Sequence, residues 1–294
     1  MSLTVLKIIA IISMTIDHIG CMFPNTPVCF RWEGRIAAPI FMIALIEGMD
    51  KTSNRKKYIV RIGVLNVIVV FLDFCLDFFG EEQIQYPSNI LKDWFAVAVI
   101  IMILEWSRSK YGSMKKGIII ILSWQIIMRM ILWFVPIDMT SKYYFECLFG
   151  LILYDGYATL LGILTIIFYF QKANKKRCII IYAVCSIGLP ILNWLIPHFF
   201  GVLLCILPEG PLEIPMIRLV DILKSLFDLL GFRTGYYLGE GTALLDDYQI
   251  GMILALPLLM CYNGKRGKGF KYLFYFYYPI HISLLAMIRL VLIS

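Results

Sequence analysis

The sequence predicts an all-α, polytopic integral membrane protein of about nine transmembrane helices, folded as a single domain over residues 1–294. Three observations carry this. The chain is 60% hydrophobic and 16% charged, with a mean hydropathy of +0.81, whereas soluble domains are about 45–50% apolar and about 25% charged. Several apolar runs are each long enough to cross a bilayer, which takes roughly 17–25 residues. Basic loops alternate with acidic or neutral ones along the chain.

Most of the 27 Lys and Arg fall in four clusters. These are Lys51, Arg55, Lys56, Lys57 and Arg61; Arg108, Lys110, Lys115 and Lys116; Lys172, Lys175, Lys176 and Arg177; and Lys265, Arg266, Lys268 and Lys271. The loops between them, such as GEEQIQYPSN and PIDMTSKYYFE, are acidic or neutral. By the positive-inside rule the basic clusters face the cytoplasm. The expected address is a bacterial-type inner membrane, crossed many times, with the N-terminus in the cytoplasm. The net charge of +7 is spread over separate loops, so a nucleic-acid partner is not expected.

The elements follow in order. The first span is 3–23; it carries one early cation, Lys7, and no small-residue cleavage site, so it reads as retained rather than as a signal peptide. Further spans are expected at 36–50, 61–79, 90–107, 117–135, 148–170 and 178–198, then at 248–262 and 272–293. The span at 36–50 is short and leans on neighbours or continues into the loop. Residues 199–247 form an amphipathic or re-entrant insert, within which IPMIRLVDILKSLFDLLG spaces Arg218, Asp221, Lys224 and Asp228 along one helical face. Topology allows zero or two crossings there, giving nine or eleven spans in total. No internal repeat of the kind common in transporters stands out. The eight cysteines lie mostly within apolar runs without metal-ligand or disulfide spacing, and no metal is expected.

Ionisable side chains inside a bilayer are costly and mark candidate sites. They are Asp17, His18, Asp73, Asp77, Arg129, Asp155 and His281. For the middle four the plain reading is ion pairing, with Arg129 neutralising one of the three aspartates. His18 lies eleven residues after Lys7, on nearly the same helical face and about 16 Å deeper, near the middle of a core about 30 Å thick. His281 lies ten residues beyond Lys271, about 15 Å in. Histidines from opposite ends of the chain therefore reach similar depth. Pro279 just before His281 frees a backbone carbonyl and bends the last span. His198, beside Trp194, reads as interfacial.

With these residues in view, LKIIAIISMTIDHIG, GRIAAPIF, EGMDKTSNRKKYIVRI and KYLFYFYYPIH resemble the TraX family. Its founding member N-acetylates the amino terminus of conjugative pilin. The family looks like a branch of the transmembrane acyltransferase superfamily, which includes the acyltransferase-3 enzymes and heparan-α-glucosaminide acetyltransferase. The spacing from Lys7 to His18 is similar to the Arg/Lys-x10-His signature of the acyltransferase-3 branch. The resemblance covers residues 1–70 and 268–285.

What the resemblance implies is acetyl transfer from cytoplasmic acetyl-CoA to an amine or hydroxyl acceptor, a peptide N-terminus or a cell-surface glycan. The CoA head would rest on Arg55, Lys56, Lys57 and Arg61 with Lys7 at the mouth, and its arm would run up the first span. His18 would be general base or acyl carrier, with Asp17 and His281 as further catalytic candidates. Adjacent helical positions diverge by about 100°, so Asp17 is expected to pair with Arg31 or Arg35 unless the helix is distorted. Glu47 falls nearer the CoA head. Two other readings stay open: a proton-coupled transporter or flippase using the buried ionisable groups, and a non-catalytic membrane scaffold.

Overall fold

Every described element is helical, as the apolar periodicity requires in a medium where backbone groups must be satisfied within the segment. The computed structural model describes residues 1–79, 89–136, 139–151, 156–206, 213–229 and 248–293. In chain order the helices are α1 Leu3–Met22, α2 Cys29–Gly34, α3 Ala37–Lys51, α4 Arg55–Phe79, α5 Ile90–Tyr111, α6 Lys115–Phe134, α7 Met139–Phe149, α8 Gly156–Gln171, α9 Lys175–Cys205 and α10 Glu213–Leu229. A 3₁₀ segment, Tyr248–Leu254, leads into α11, Ala255–Met260, and α12, Lys271–Ile293, closes the described chain.

Four of these helices are long and apolar enough to cross a membrane: Leu3–Met22, Arg55–Leu76, Lys175–Cys205 and Leu273–Leu292. Large apolar side chains are exposed along them and their neighbours, among them Phe71, Ile119 and Val184. A surface so apolar suits hydrocarbon rather than water.

Three expected spans take a different form. The segment 36–50 continues backwards, across a turn at Arg35–Ile36, into the short helix α2. The segment 148–170 is interrupted where Gly150 adopts φ +63°, which ends α7 before α8 begins; only glycine enters that region without strain. The segment 248–262 is a 3₁₀ turn followed by a six-residue helix, not one continuous helix. Within 199–247, α9 runs on to Cys205, and α10 packs Val220 and Phe227 against Ile196 and Phe200 of α9. Residues 207–212 and 230–247 lie outside the described residues.

The core is centred on α1 and α3, where Leu6, Ala10, Met14, Ile40, Met42 and Leu45 pack with Val97 and Ile101 of α5 and Tyr182 of α9. The positions of Leu6, Ala10 and Met14 follow the four-residue step of one helical face. The start of α1 is satisfied from the far end of the chain. Leu3 and Thr4 donate their backbone N–H groups to Lys265 and Arg266 carbonyls at 2.9 and 3.1 Å, and the Thr4 hydroxyl bonds the Arg266 and Lys268 carbonyls at 2.8 and 2.6 Å. These would otherwise be the orphan donors of a helix N-terminus. Gly267, at φ +78°, leaves room for Ser2 and Thr4.

The basic clusters gather at this same end. Lys51 donates to the Gly264 carbonyl at 2.8 Å and Lys175 to the Tyr262 carbonyl at 2.5 Å. Lys172 pairs with Asp50, and Arg55 pairs with Glu105 at the far end of α5.

Candidate functional site

α1 and α12 lie side by side, and each brings one histidine to a shared buried point. His18 Nδ1 lies 2.8 Å from His281 Nε2, the rings nearly parallel at 11°. Both residues are about 5% exposed. His281 Nδ1 lies 2.8 Å from the Tyr277 carbonyl oxygen. A carbonyl only accepts, so His281 Nδ1 carries the proton, and in the neutral ring Nε2 is left as an acceptor. His18 Nδ1–H must then be the donor to it. The proton assignment leaves His18 Nε2 with a lone pair, which meets no hydrogen-bond donor among the described residues.

The aromatic run before His281 supports the pair. Tyr277 stacks on His281 with centroids 4.9 Å apart, and Tyr278 meets both imidazoles edge-on. One turn towards the basic end, the Thr15 hydroxyl donates to the Ile11 carbonyl at 2.9 Å. Its oxygen therefore accepts from the Tyr277 hydroxyl at 2.6 Å, tying α1 to α12.

Asp17 turns away from the imidazoles towards α2, as the 100° step between neighbours dictates. Its carboxylate takes Arg31 Nη1 at 2.9 Å and Arg35 Nη2 at 2.8 Å, so both expected arginines are engaged. Arg31 Nη1 also donates to the Asp17 carbonyl at 3.1 Å. Both guanidiniums lie over the Tyr248 ring, at 4.8 and 4.9 Å from its centroid. Asp17 is thus an anchor for the arginines and makes no contact that orients His18.

Gly34 makes this approach possible, because a Cβ there would fall on the Asp17 side chain. Gly34→Ala is expected to destabilise the protein by about 1–3 kcal/mol, the cost of overpacking. Gly188→Ala, a helical glycine with open space around it, should instead be neutral or stabilising by up to about 1 kcal/mol. Thermal unfolding in detergent compares the two; a Gly34→Ala midpoint equal to wild type contradicts the packing described.

A cavity of about 430 Å³ opens at the basic end between α1, α3, α4, α5, α12 and the loop before α12. Lys7, Lys51, Arg61, Arg266 and Lys268 surround its mouth, with Glu47 the one carboxylate among its lining residues. Lys51 pairs with Glu47 at 2.5 Å, and Lys7 sits over the Phe274 ring at 5.1 Å. Its walls mix aliphatic side chains with aromatic ones, among them Phe41, Tyr58, Trp94 and Tyr275. Its inner end reaches Met14, Tyr277 and Tyr278, one helical turn or less from the histidines.

The expected cofactor cluster divides. Arg61 and Lys7 line the cavity, whereas Arg55 is committed to Glu105 and the Met49 carbonyl. Lys56 and Lys57 are exposed and do not line it. Arg266 and Lys268, read from sequence only as a topology signal, take their place at the mouth. No local pattern marks them, because the loop is drawn in by hydrogen bonds to α1 from more than 260 residues away.

The remaining polar candidates lie elsewhere. Arg129 pairs at 3.2 Å with Glu146, a carboxylate outside the three aspartates weighed for it. Asp73 is buried on α4. The Asp77 side chain and Asp155 fall outside the described residues. A further polar group, missed in the sequence because asparagine carries no charge, joins Asn66 in the middle of α4 to Asn89 at 2.9 Å and to the Cys147 carbonyl at 2.8 Å. Asn89 also caps α5 through Leu91 N–H. His198 meets the Trp194 carbonyl at 2.6 Å, in the C-terminal half of α9. No cluster of His, Cys, Asp or Glu suited to a metal ion occurs among the described residues.

The family model described as TraX protein matches residues 2–149, half of the chain, including α1 and the Asp17–Arg31–Arg35 group. The chain belongs to the TraX family. It is 23% identical over 300 aligned residues to a probable fimbrial assembly protein FimC, serogroup H1, of Dichelobacter nodosus, covering 98% of this chain and 95% of that protein. It is 30% identical over 133 residues to an uncharacterized protein of Rickettsia prowazekii (strain Madrid E), covering 40% of this chain and 52% of that one. No solved structure matches it. In this TraX-family chain the second histidine, His281, lies beyond the matched region yet meets the first.

Proposed function

We propose that this TraX-family protein is a membrane-embedded acyltransferase that moves an acetyl group from acetyl-CoA to an amine or hydroxyl acceptor, a peptide amino terminus or a cell-surface glycan. The observation that carries the reading is the His18–His281 hydrogen bond at 2.8 Å with His281 Nδ1 on the Tyr277 carbonyl. A buried imidazole held in one tautomer by a second group, with its other nitrogen unbonded, is the arrangement a general base requires.

The basic mouth suits the phosphate-rich head of CoA, and the apolar and aromatic lining farther in suits its pantetheine arm. Lys7, Arg61, Arg266 and Lys268 would hold the head through charge-assisted contacts. Tyr277 and Tyr278 would wall the arm near the imidazoles. His18 Nε2 removes the proton from the acceptor as its nitrogen or oxygen bonds the thioester carbonyl carbon. The C–S bond then breaks, and the same proton passes from His18 to the departing sulfur, leaving the pair neutral. His281 holds the Nδ1 proton of His18 and supports the transient imidazolium. The scaffold reading leaves the tautomer-locked pair without a role, and a transporter would use the pair as a proton relay but leaves the phosphate-suited basic mouth unexplained.

In the same reading the chain crosses a bacterial-type inner membrane about nine times, N-terminus and basic loops in the cytoplasm where acetyl-CoA is found. Kinship with the acyltransferase-3 and heparan-α-glucosaminide acetyltransferase enzymes belongs to this proposal. Single cysteines at Lys57, Lys115, Lys175 and Lys268 are expected to resist membrane-impermeant thiol reagents in intact cells and to react after permeabilisation. Labelling of any of them in intact cells reverses the orientation. The activity itself is tested by saturable binding of CoA and acetyl-CoA to the purified protein, followed by transfer of labelled acetyl to peptide and aminosugar acceptors. Failure to bind either ligand at millimolar concentration would remove the acyltransferase reading.

A further inference from the structure

Among the described residues, the charges around Asp17 do not balance. One carboxylate faces two guanidiniums, and Glu33, which lies between them in sequence, is exposed and pairs with neither. The surplus positive charge sits on side chains only 20% exposed, where an uncompensated ion is expensive. The donors do not balance either. Each guanidinium has five N–H groups, and those facing Asp17 are on Arg31 Nη1 and Arg35 Nη2. Arg35 Nε is buried with no hydrogen-bond partner. Both guanidiniums lie over the Tyr248 ring, whose π face attracts the cations but accepts few of their N–H groups. The Cys21 thiol is the other neighbour of Arg31. At 20% exposure the two side chains remain within reach of a ligand, held on Asp17, the residue before His18, and farther along α1 than the Lys7 end where the cavity opens.

We propose that Arg31 and Arg35 form the subsite that selects the acceptor, binding an oxyanion, carboxylate or phosphate, that the acceptor carries next to its reactive amine or hydroxyl. The inference rests on the acyl-transfer reading for its place in the reaction, and deepens it by naming the acceptor class. An oxyanion accepts two parallel N–H bonds from a guanidinium edge and cancels the surplus charge. A neutral acceptor does neither. The nucleophile of an acceptor anchored here is presented to His18 from the side opposite the donor, so donor and acceptor do not compete for one entrance.

The test uses purified protein in detergent, saturated with CoA so that the basic mouth is filled. The probes share one amine: glycine carries a carboxylate beside it, aminomethylphosphonate a phosphonate, and glycinamide no charge. Thermal unfolding is followed against probe concentration. Glycine, aminomethylphosphonate or both should raise the midpoint saturably while glycinamide does not, and the one that acts identifies the oxyanion. Arg31→Gln and Arg35→Gln should each weaken this response by about tenfold or more, the loss of a charge-assisted hydrogen bond, while Lys176→Gln, an exposed cation outside the cavity, leaves it intact. Each of the two variants keeps one arginine on Asp17, a neutral pair, so folding is retained in at least one of them. Asp17→Asn should tighten binding, since the surplus then doubles. A glycinamide response equal to that of the anions, or an anion response that survives in both arginine variants, overturns the proposal. Anion binding without any CoA binding would sink the acyl-transfer reading alone; CoA binding without an anion response would sink this one alone.

Discussion

His18→Ala is expected to fold, to bind CoA within a few-fold of wild type, and to lose acetyl transfer by about 10²–10⁴, the scale of a missing general base. The reason lies in the proton assignment: only His18 keeps an unbonded ring nitrogen, because His281 spends one nitrogen on the Tyr277 carbonyl and the other on His18. His281 therefore acts through His18, and the two variants should fail differently. His281→Ala should lower turnover less and shift the pH profile of kcat, because the imidazolium formed on His18 loses its supporting acceptor. His281→Gln, whose amide oxygen can accept from His18 Nδ1–H, should recover part of the rate. Near-normal transfer by His18→Ala would make His281 the base. Normal transfer by both alanine variants would remove the enzyme reading and bring the transporter forward.

Charge reversal at the mouth is the second large effect. With Arg61→Glu and Arg266→Glu combined, the Kd for CoA should rise by about 10²-fold or more, since each replaces a charge-assisted contact, typically about 1.5–3 kcal/mol, with a repulsion. Lys56→Glu with Lys57→Glu should change it only a few-fold, because those side chains are exposed and outside the cavity, where ions screen them over a Debye length of about 8 Å at physiological salt. Lys7→Ala should raise the KM for acetyl-CoA while sparing kcat, the pattern of lost uniform binding. Isothermal titration at two salt concentrations measures the first two, and steady-state kinetics the third. Equal sensitivity of the exposed pair and the mouth pair would place the CoA head on the outer surface of the loop.

Composition and charge pattern alone were enough to read a helical membrane protein with its basic loops on one side, because lipid leaves a chain few choices. A segment in hydrocarbon must be apolar and must satisfy its own backbone, and both demands are written residue by residue. Helical geometry also sufficed to set His18 above Lys7 and to turn Asp17 away from it towards Arg31 and Arg35, since these are relations within one helix or between neighbouring ones.

What only the tertiary structure decided is which groups from distant parts of the chain meet. His18 and His281 are 263 positions apart, and two similar depths do not make a contact until α1 and α12 pack together. Their tautomers depend on a third group, the Tyr277 carbonyl, which every helix residue also possesses. Arg266 and Lys268 look like any loop cations until Thr4 binds their carbonyls, whereas Arg55, a stronger candidate by position, is withdrawn by Glu105 on another helix. The surplus charge at Asp17 is a count, among the described residues, over three side chains and a ring from three separate segments. Local sequence specifies elements, because each element's energetics are local. A site is a sum of pairwise distances between elements, and those are set by packing.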